Sequence, residues 1–404
     1  MLARRLGFAA VALTAGCGRY QFEATDGGGL VGDDAGSDAD GVCGRDEDCG
    51  RCERCTAEGR CELATFVQVS LGYRDGCARD ELGDVWCWGQ NLYYNQGIVD
   101  GSGAPFYARP RRIGLGDTID IAVGWGLGLA RTTSGALWGW GAYAKAPGLG
   151  IGVIDDTQTW VSLDAKHFNG CARSSTGTTS CVGDNGFGQL GRGSAMFDQI
   201  LALAPLDGST DWAEVSTDYA TCARKQDGHI LCAGRNAEGA LGRGTITTLE
   251  LDLVQVGDAS WRAVSTSGGS TCAIGTDGSL WCWGAYPENG VGAQVSTPTQ
   301  IGTDTDWEWI EVRSLYSCGA RAGQVYCWGR SDSLFLAAVG GASTTPTVFA
   351  LPFDAGTRPV FGASAACTVD GGSWRCFGSN TYGDVGVDSP DATVPTLTPL
   401  CPAP

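Results

Sequence analysis

The chain is poor in residues on which many functions depend. It has two Met and two His in 404 residues, and Lys and Arg number 27 against 45 Asp and Glu. A formal charge of −18 argues against nucleic acid, whose binding needs a basic face to displace phosphate counterions. An acidic balance otherwise speaks mainly of solubility. No long helical apolar period runs through the chain, so a helical bundle is not expected. His167 and His229 sit at unrelated places with no acidic or nucleophilic partner at recurrent spacing, and read as surface or turn residues. The apolar run LGFAAVALTA at 6–15 is about half the length that spans a bilayer.

That run reads as the core of a secretory signal, with Arg4 and Arg5 before it. The following LTAGC resembles a bacterial lipobox, with Ala15 and Gly16 before Cys17 and Thr14 where Leu is commonest. The resemblance implies export, removal of 1–16 and lipidation of Cys17. Gly18 in place of Asp favours the outer membrane, on either its periplasmic or its exposed side. An ordinary signal peptide with an incidental Cys17 is the alternative. Residues 17–42, rich in Gly and Asp, have the composition of a lipidated, disordered tether. They lack the spacing of an EF-hand loop.

Export suits the 19 cysteines, since disulfides persist in oxidising compartments. Twelve form recurring pairs: Cys77 with Cys87, Cys171 with Cys181, Cys222 with Cys232, Cys272 with Cys282, Cys318 with Cys327, and Cys367 with Cys376. Apart from Cys17, there remain Cys43, Cys49, Cys52, Cys55, Cys61 and Cys401, an even set. Five of these make a small cysteine-rich module, 43–61. Its C-x-x-C spacings overlap and have no His nearby, which favours disulfides over zinc.

From Phe66 to Leu400 the chain repeats itself. The units open FVQVSLG (66), IDIAVGWG (119), WVSLDAK (160), WAEVSTD (212), WRAVSTS (261), WIEVRSL (309) and PVFGASA (359). Their spacing of about 48 residues accommodates four short strands. A cysteine spacing of ten implies an odd hairpin loop between facing cysteines. The loops Glu81-Leu82-Gly83, Thr133-Ser134-Gly135, Ser175-Thr176-Gly177, Gln226-Asp227-Gly228 and Thr276-Asp277-Gly278 all end in Gly, where a bulged turn needs positive φ. Where the spacing is nine, the loops shorten to Ala322-Gly323 and Gly371-Gly372, suited to primed turns. The second unit, LARTTSGALWGWG, keeps the loop but has Leu129 and Gly139 at the two facing positions. One disulfide is therefore absent as a unit.

The pattern "CA…DG…WCWG", then "N-x-x-G-x-L-G" as in GDNGFGQLGRG and GRNAEGALGRG, resembles the regulator of chromosome condensation repeat family in an exported, cysteine-bearing form. The resemblance covers 66–400 and implies an all-β, seven-bladed β-propeller closed into a ring, within a domain spanning 62–401. Kelch repeats match in length but not in pattern. Closure of a ring brings its ends together, so Cys401 is expected to bond a cysteine of the 43–61 module, Cys61 foremost.

Little in the chain points to chemistry. GFGQLG (186–191) matches a dinucleotide fingerprint but stands in a repeated turn, without the strand–helix setting that gives the fingerprint meaning. Asp155-Asp156 lies in a turn-like stretch, and no metal or cofactor site is expected. Intracellular members of the family bind a small GTPase and chromatin, and one secreted member inhibits β-lactamase. The expectation here is a non-catalytic scaffold, monomeric, anchored to the membrane only through lipid, binding a protein or glycan and no nucleic acid. The alternatives are an envelope structural or adhesive protein, then a propeller hydrolase or lyase. The foremost binding candidates lie in one excursion, where Tyr93, Tyr94, Phe106 and Tyr107 accompany Arg109, Arg111 and Arg112. Tyr and Arg dominate interface hot spots. GAYAKAPGLG (141–150) is the second candidate.

Overall fold

A computed structural model describes residues 43, 46, 49, 52–94, 96–97, 105–144, 150–330, 333–338, 343–348, 358–370, 373–387 and 393–401. The expected signal segment 1–16, Cys17, the expected tether 17–42 and the Gly371-Gly372 loop lie outside them. No helix among the described residues is long and apolar enough to cross a membrane.

Seven four-stranded antiparallel sheets, spanning 66–112, 118–155, 160–205, 212–255, 261–300, 307–348 and 360–399, form seven blades of consecutive strands. The first strand of each is innermost, because first strands of successive blades touch across the axis. Gln68 donates to Asp120 at 2.8 Å, Thr217 N to Asp164 at 2.8 Å, and Val312 N to Ser265 at 2.9 Å. Their small hydroxyl residues let seven strands converge, while the ring residues opening several of them, such as Trp160, Trp212 and Trp261, are buried between blades.

The hairpin logic holds in three dimensions. Across the second and third strands of their blades, Cys77 faces Cys87, Cys171 faces Cys181, and Cys222 faces Cys232. Likewise Cys272 faces Cys282, Cys318 faces Cys327, and Cys367 faces Cys376. All six pairs are disulfides with Cα atoms 4.1 Å apart, close to the spacing of a non-hydrogen-bonded pair. The loop glycines Gly83, Gly135, Gly177, Gly228 and Gly278 have φ of 84–93°. In blade six Ala322 and Gly323 both have positive φ, 50° and 70°, as a type I′ turn requires. Gly177 has a second role: its carbonyl accepts from Trp212 N in the next blade, and a Cβ on Gly177 would lie 2.0 Å from Thr210 O. The same bond joins Gly135 to Trp160, Gly228 to Trp261 and Gly278 to Trp307. Blade six therefore begins at Trp307, two residues before the WIEVRSL stretch that marks it in the sequence.

Leu129 and Gly139 face each other as the cysteines do elsewhere. Leu129 is fully buried and packs in a cluster with Trp160, Ala172 and Val182 of the next blade. Ile154 leans over Gly139, where a Cβ would lie 2.4 Å from Ile154 Cδ1. Packing has replaced the missing bridge.

Among the described residues no strand is exchanged between blades one and seven. Ala363 N donates to Gly72 O at 3.1 Å and Trp88 Nε1 to Asp384 O at 3.2 Å. A disulfide from Cys401 adds a covalent latch, but its partner is Cys52, while Cys61 bonds Cys49 and Cys43 bonds Cys55. The expected pairing of Cys61 with Cys401 is thus corrected. The strands Glu53–Cys55 and Cys61–Leu63 form a hairpin that sets Cys61 opposite Cys55, leaving Cys52 at its base. There Cys52 is 1% exposed and packs beside Leu400 and Cys401. Arg54 fastens the module to blade one through Asp80 at 3.3 Å. The sulfurs of Cys43, Cys49 and Cys55 gather within 4.8 Å, but all are oxidised and offer no thiolate to a metal.

Candidate functional site

Four strands running alternately up and down place the first and third turns of every blade on one face. In blades one to four the first turn carries Tyr73-Arg74, Trp125, His167-Phe168 and Asp218-Tyr219; in blades five to seven it carries Gly268-Gly269, Ser314-Leu315 and Ala363-Ser364. Half of the channel mouth is therefore aromatic, and the other half is built mainly of small residues. The third turns add Tyr93, Tyr143, Phe187 and Tyr382 to the same face.

These rings form one arc. Tyr73 stacks on Trp125 with centroids 4.9 Å apart, Trp125 on Phe168 at 4.7 Å, and Phe168 on Tyr143 at 4.3 Å. Tyr93 meets Trp125, Tyr143 and Phe168 edge-on. His167 continues the arc to Tyr219 at 4.6 Å, and Tyr219 to Phe187 at 5.6 Å. A cation stands at either end. Arg74 lies 4.4 Å over Tyr382 and 5.4 Å from Tyr73, and Arg235 lies within 5.9 Å of both Phe187 and Tyr219. The Tyr, Trp and Phe rings are half-buried, and the His167 side chain between them is buried.

Within the arc the mouth narrows to a cleft of about 20 Å³ lined by residues including Tyr73, Lys166, His167, Asp218, Ser267 and Arg313, room for about one water. Lys166 plugs the axis below. Its Nζ donates to Ser216 and Ser265 hydroxyls at 3.0 and 3.1 Å and to the Thr266 and Val312 carbonyls at 3.2 and 3.3 Å, and faces Glu311 at 3.3 Å. Lys166, Arg313 and Arg358 hold the Glu311 carboxyl down at about 2 against the pull of burial.

At the rim, Asp218 accepts from Ser267 Oγ and from Gly268 N at 3.1 Å. Its other oxygen lies 3.8 Å from His167 Nδ1, and His167 Nε2 meets the Tyr219 hydroxyl at 3.3 Å. Both histidines thus have a carboxylate beside them, contrary to their reading in the sequence; His229 Nδ1 lies 3.1 Å from Asp227. Burial lowers the His167 pKa, opposed by Asp218, and raises that of Tyr219. Imidazole and phenol are thereby both held neutral at neutral pH. The three side chains hold one another's rings in place at the rim.

The excursion singled out in the sequence is divided. Tyr93 joins the arc, and Tyr94 beside it is 38% exposed. Phe106 and Tyr107 open the outer strand Phe106–Arg112, opposite Gln90 and Gly89. Arg109 lies mid-strand, and Arg111 covers Tyr107 at 4.7 Å. Arg112, about 20 Å from Phe106 by strand rise, is held by Asp84 at 2.9 Å and Asp46 at 3.3 Å. It anchors the cysteine-rich module. Of GAYAKAPGLG, Tyr143 joins the arc, and 145–149 lie outside the described residues.

The arc itself escaped sequence reading. A signal was present: Tyr73, Trp125, Phe168 and Tyr219 each stand three or four residues before the first cysteine position of their unit.

No family model matches the chain. A 201-residue stretch is 27% identical to the human probable E3 ubiquitin-protein ligase HERC4, covering 45% of this chain and 18% of that protein. Thus only a small part of that relative is matched. Among solved structures, yeast RCC1 (Prp20) bound to Kap60 superposes with a TM-score of 0.63 at 17% identity, over 74% of this chain and 78% of that one. Prp20p from Saccharomyces cerevisiae, described with its binding to Gsp1p and histones, gives 0.64 at 17%, over 84% and 91%. Human WBSCR16 gives 0.65 at 16%, over 79% and 94%. The fold is an RCC1-like seven-bladed propeller.

Proposed function

We propose that this chain is an exported recognition scaffold without catalysis of its own, and that the aromatic arc holds a protein partner. The arc is the observation that carries the reading: a continuous, half-open run of Tyr, Trp and Phe rings ending in Arg74 and Arg235, the residue types that dominate interface hot spots. A plugged axis favours a docking surface over a reaction chamber. Prp20 is itself described as bound by Kap60 and as binding Gsp1p and histones, which supports a protein rather than a glycan. Nine disulfides fit an oxidising, extracytoplasmic compartment. Within that compartment we place the chain on the outer membrane of a bacterium, anchored through lipid on Cys17.

Detergent-solubilised full-length protein, captured with its neighbours by cross-linking in the envelope, tests the reading. A single protein species should be recovered with the wild type and lost with Trp125→Ala and Phe168→Ala. Undiminished capture by these variants refutes the assignment of the face, and binding confined to glycans refutes the class of partner. Mass spectrometry of the N-terminal peptide tests the anchor. Envelope damage on deletion, with no partner recovered, would favour a structural or adhesive role.

A further inference from the structure

The repeats permit a comparison within the chain. In blades three to six the inner strand opens with a buried tryptophan: Trp160, Trp212, Trp261 and Trp307. The indole of Trp160 donates to Asp155 at 3.0 Å, and that of Trp212 to Asp207 at 3.0 Å. Each aspartate directly follows an apolar residue, Ile154 or Leu206. After Val256 and Ile301 stand instead Gly257 and Gly302, with φ of 56° and 65°. The backbone confirms the equivalence: Leu206, Val256 and Ile301 N donate to the carbonyls of Thr179, Ile230 and Leu280, each at the start of a third strand or its turn. Correspondingly, the indole nitrogens of Trp261 and Trp307 are buried and find no acceptor among the described residues. Where the aspartate is present the indole is satisfied; where it is glycine, it is not.

At Gly302 the vacated position adjoins a cavity of about 340 Å³ between blades five and six, whose lining includes Gln300, Gly302, Asp304, Trp307, Arg321 and Tyr326. A Cβ on Gly302 would approach only Asp304 Oδ2, at 3.8 Å. The rest of the blade-four arrangement recurs around it. Lys225 lies 5.0 Å over the Trp212 ring and pairs with Asp211 at 2.9 Å. Arg321 lies 5.9 Å from the Trp307 centroid and pairs with Asp306 at 3.3 Å, and also with Asp304 at 2.8 Å. A cation, a ring and a flanking aspartate are all in place; the carboxylate on the indole is missing.

We propose that this cavity binds a carboxylate from outside the chain, one oxygen accepting from Trp307 Nε1 as Asp207 does from Trp212 in blade four. The charge is met by Arg321, whose contacts with Asp304 and Asp306 both use Nη1. Those two aspartates are about half exposed, 45% and 52% at the side chain, so water screens their repulsion of the incoming anion. An unpaired buried donor costs free energy that an acceptor relieves, and a carboxylate is the acceptor the chain itself uses at this position. The site is separate from the aromatic arc and does not rest on its function.

The test is ¹⁵N NMR of the tryptophan indoles of the full chain, with Trp307 assigned by Trp307→Phe. The probes are sodium acetate, a capped Gly-Asp-Gly peptide, its Gly-Asn-Gly counterpart and glucose. Acetate or the Asp peptide should shift the Trp307 indole resonance saturably, leaving those of Trp160 and Trp212 in place. A response to both identifies a small carboxylate as sufficient; a response to the peptide alone identifies an acidic side chain of a partner. Gly302→Asp supplies the carboxylate within the chain, and Asp tolerates positive φ better than most residues; its indole should no longer respond. Arg321→Gln, on the cavity rim, should weaken acetate binding about tenfold while leaving the fold intact, and serves if Gly302→Asp does not fold. No saturable shift with either carboxylate, an equal shift with the Asn peptide or glucose, or an unchanged affinity in Arg321→Gln would overturn the proposal.

Discussion

Replacing Lys166 by Met tests whether the propeller is held at its axis by charge. Lys166 is 5% exposed and its ammonium touches blades four, five and six at once. Methionine preserves much of the stem but strips the Thr266 and Val312 carbonyls of a donor and Glu311 of one of three cations. Breaking a buried ion pair from one side typically costs about 3–5 kcal/mol. Here Arg313 and Arg358 still face Glu311, at 3.4 and 3.1 Å, so the lower end, about 3 kcal/mol, is expected. The titration of Glu311 reports the combined effect of Lys166, Arg313 and Arg358 against burial. Its carboxyl falls from 4.5 to about 2 in the fold, a difference corresponding to about 3 kcal/mol at neutral pH. A depressed carboxylate stabilises above its unfolded value, so this contribution is complete above pH 4.5 and drains away as pH falls towards 2. Equilibrium guanidinium unfolding with disulfides intact, followed by tryptophan fluorescence, measures both effects. Lys166→Met should lose about 3 kcal/mol at pH 7, and Glu311→Gln should flatten the acid limb. The double variant should lose at least 1 kcal/mol less than the two single losses added together. Additive losses, or single losses below about 1 kcal/mol, would mean that packing alone holds the axis, and the reasoning would fail.

Three further outcomes follow from the same structure. Leu129→Cys with Gly139→Cys should oxidise, since the positions are in register. Its chain-entropy gain of about 3 kcal/mol should be nearly cancelled by lost Leu129 packing and the displacement of Ile154. Adding Ile154→Val should recover part of the gain in guanidinium unfolding; a large gain from the cysteine pair alone would show that Leu129 contributes little. Cys52→Ser with Cys401→Ser opens a loop of sequence separation 349, and up to about 5 kcal/mol should be lost. Hydrogen exchange should quicken first at Ala363, whose amide bonds Gly72 across the closure; unchanged exchange there would assign closure to packing alone. Asp384, buried beside Ser364, is raised to about 6. A raised carboxyl stabilises fully below its unfolded value of 3.8 and loses that contribution as pH rises through about 6. Asp384→Asn should therefore be neutral at pH 4 and stabilising by up to about 3 kcal/mol at pH 8; equal effects at both would contradict the cause assigned.

What could be read without coordinates was whatever a single hairpin contains. Loop length, loop glycine and cysteine spacing lie within a dozen residues, so together they specify register. The six facing disulfides follow, with Cys87, Cys181, Cys232, Cys282, Cys327 and Cys376 each opposite the first cysteine of its own hairpin. The partner of Cys401 was legible only as a class. Cys52, Cys55 and Cys61 crowd one short stretch, and the choice among them depends on a hairpin that sets Cys61 against Cys55 and leaves Cys52 at the base, at φ 62°. The candidate excursion is divided in space for a related reason. Tyr93 to Arg112 are neighbours along the chain, but a strand carries Arg112 away from the mouth, while the rings that do assemble come from blades one to four, about 50 residues apart, with Tyr382 of blade seven joined through Arg74.

The two departures from the repeat show the same limit from opposite sides. Leu129 and Gly139 are conspicuous in the sequence because both partners of the lost bridge lie in one motif. Gly302 is inconspicuous because the sixth unit reads as opening at Trp309; counted from Trp307 it stands five residues before, as Asp155 and Asp207 stand before Trp160 and Trp212, whereas Gly257 precedes Trp261 by four. The shared backbone bonds of Leu206, Val256 and Ile301 align both glycines with Asp207. A side-chain pair lost within a hairpin is compensated locally, by Leu129 packing and Ile154. A side chain absent from a link between blades leaves its donor unpaired, at Trp261 as at Trp307, and at Trp307 a cavity adjoins the gap.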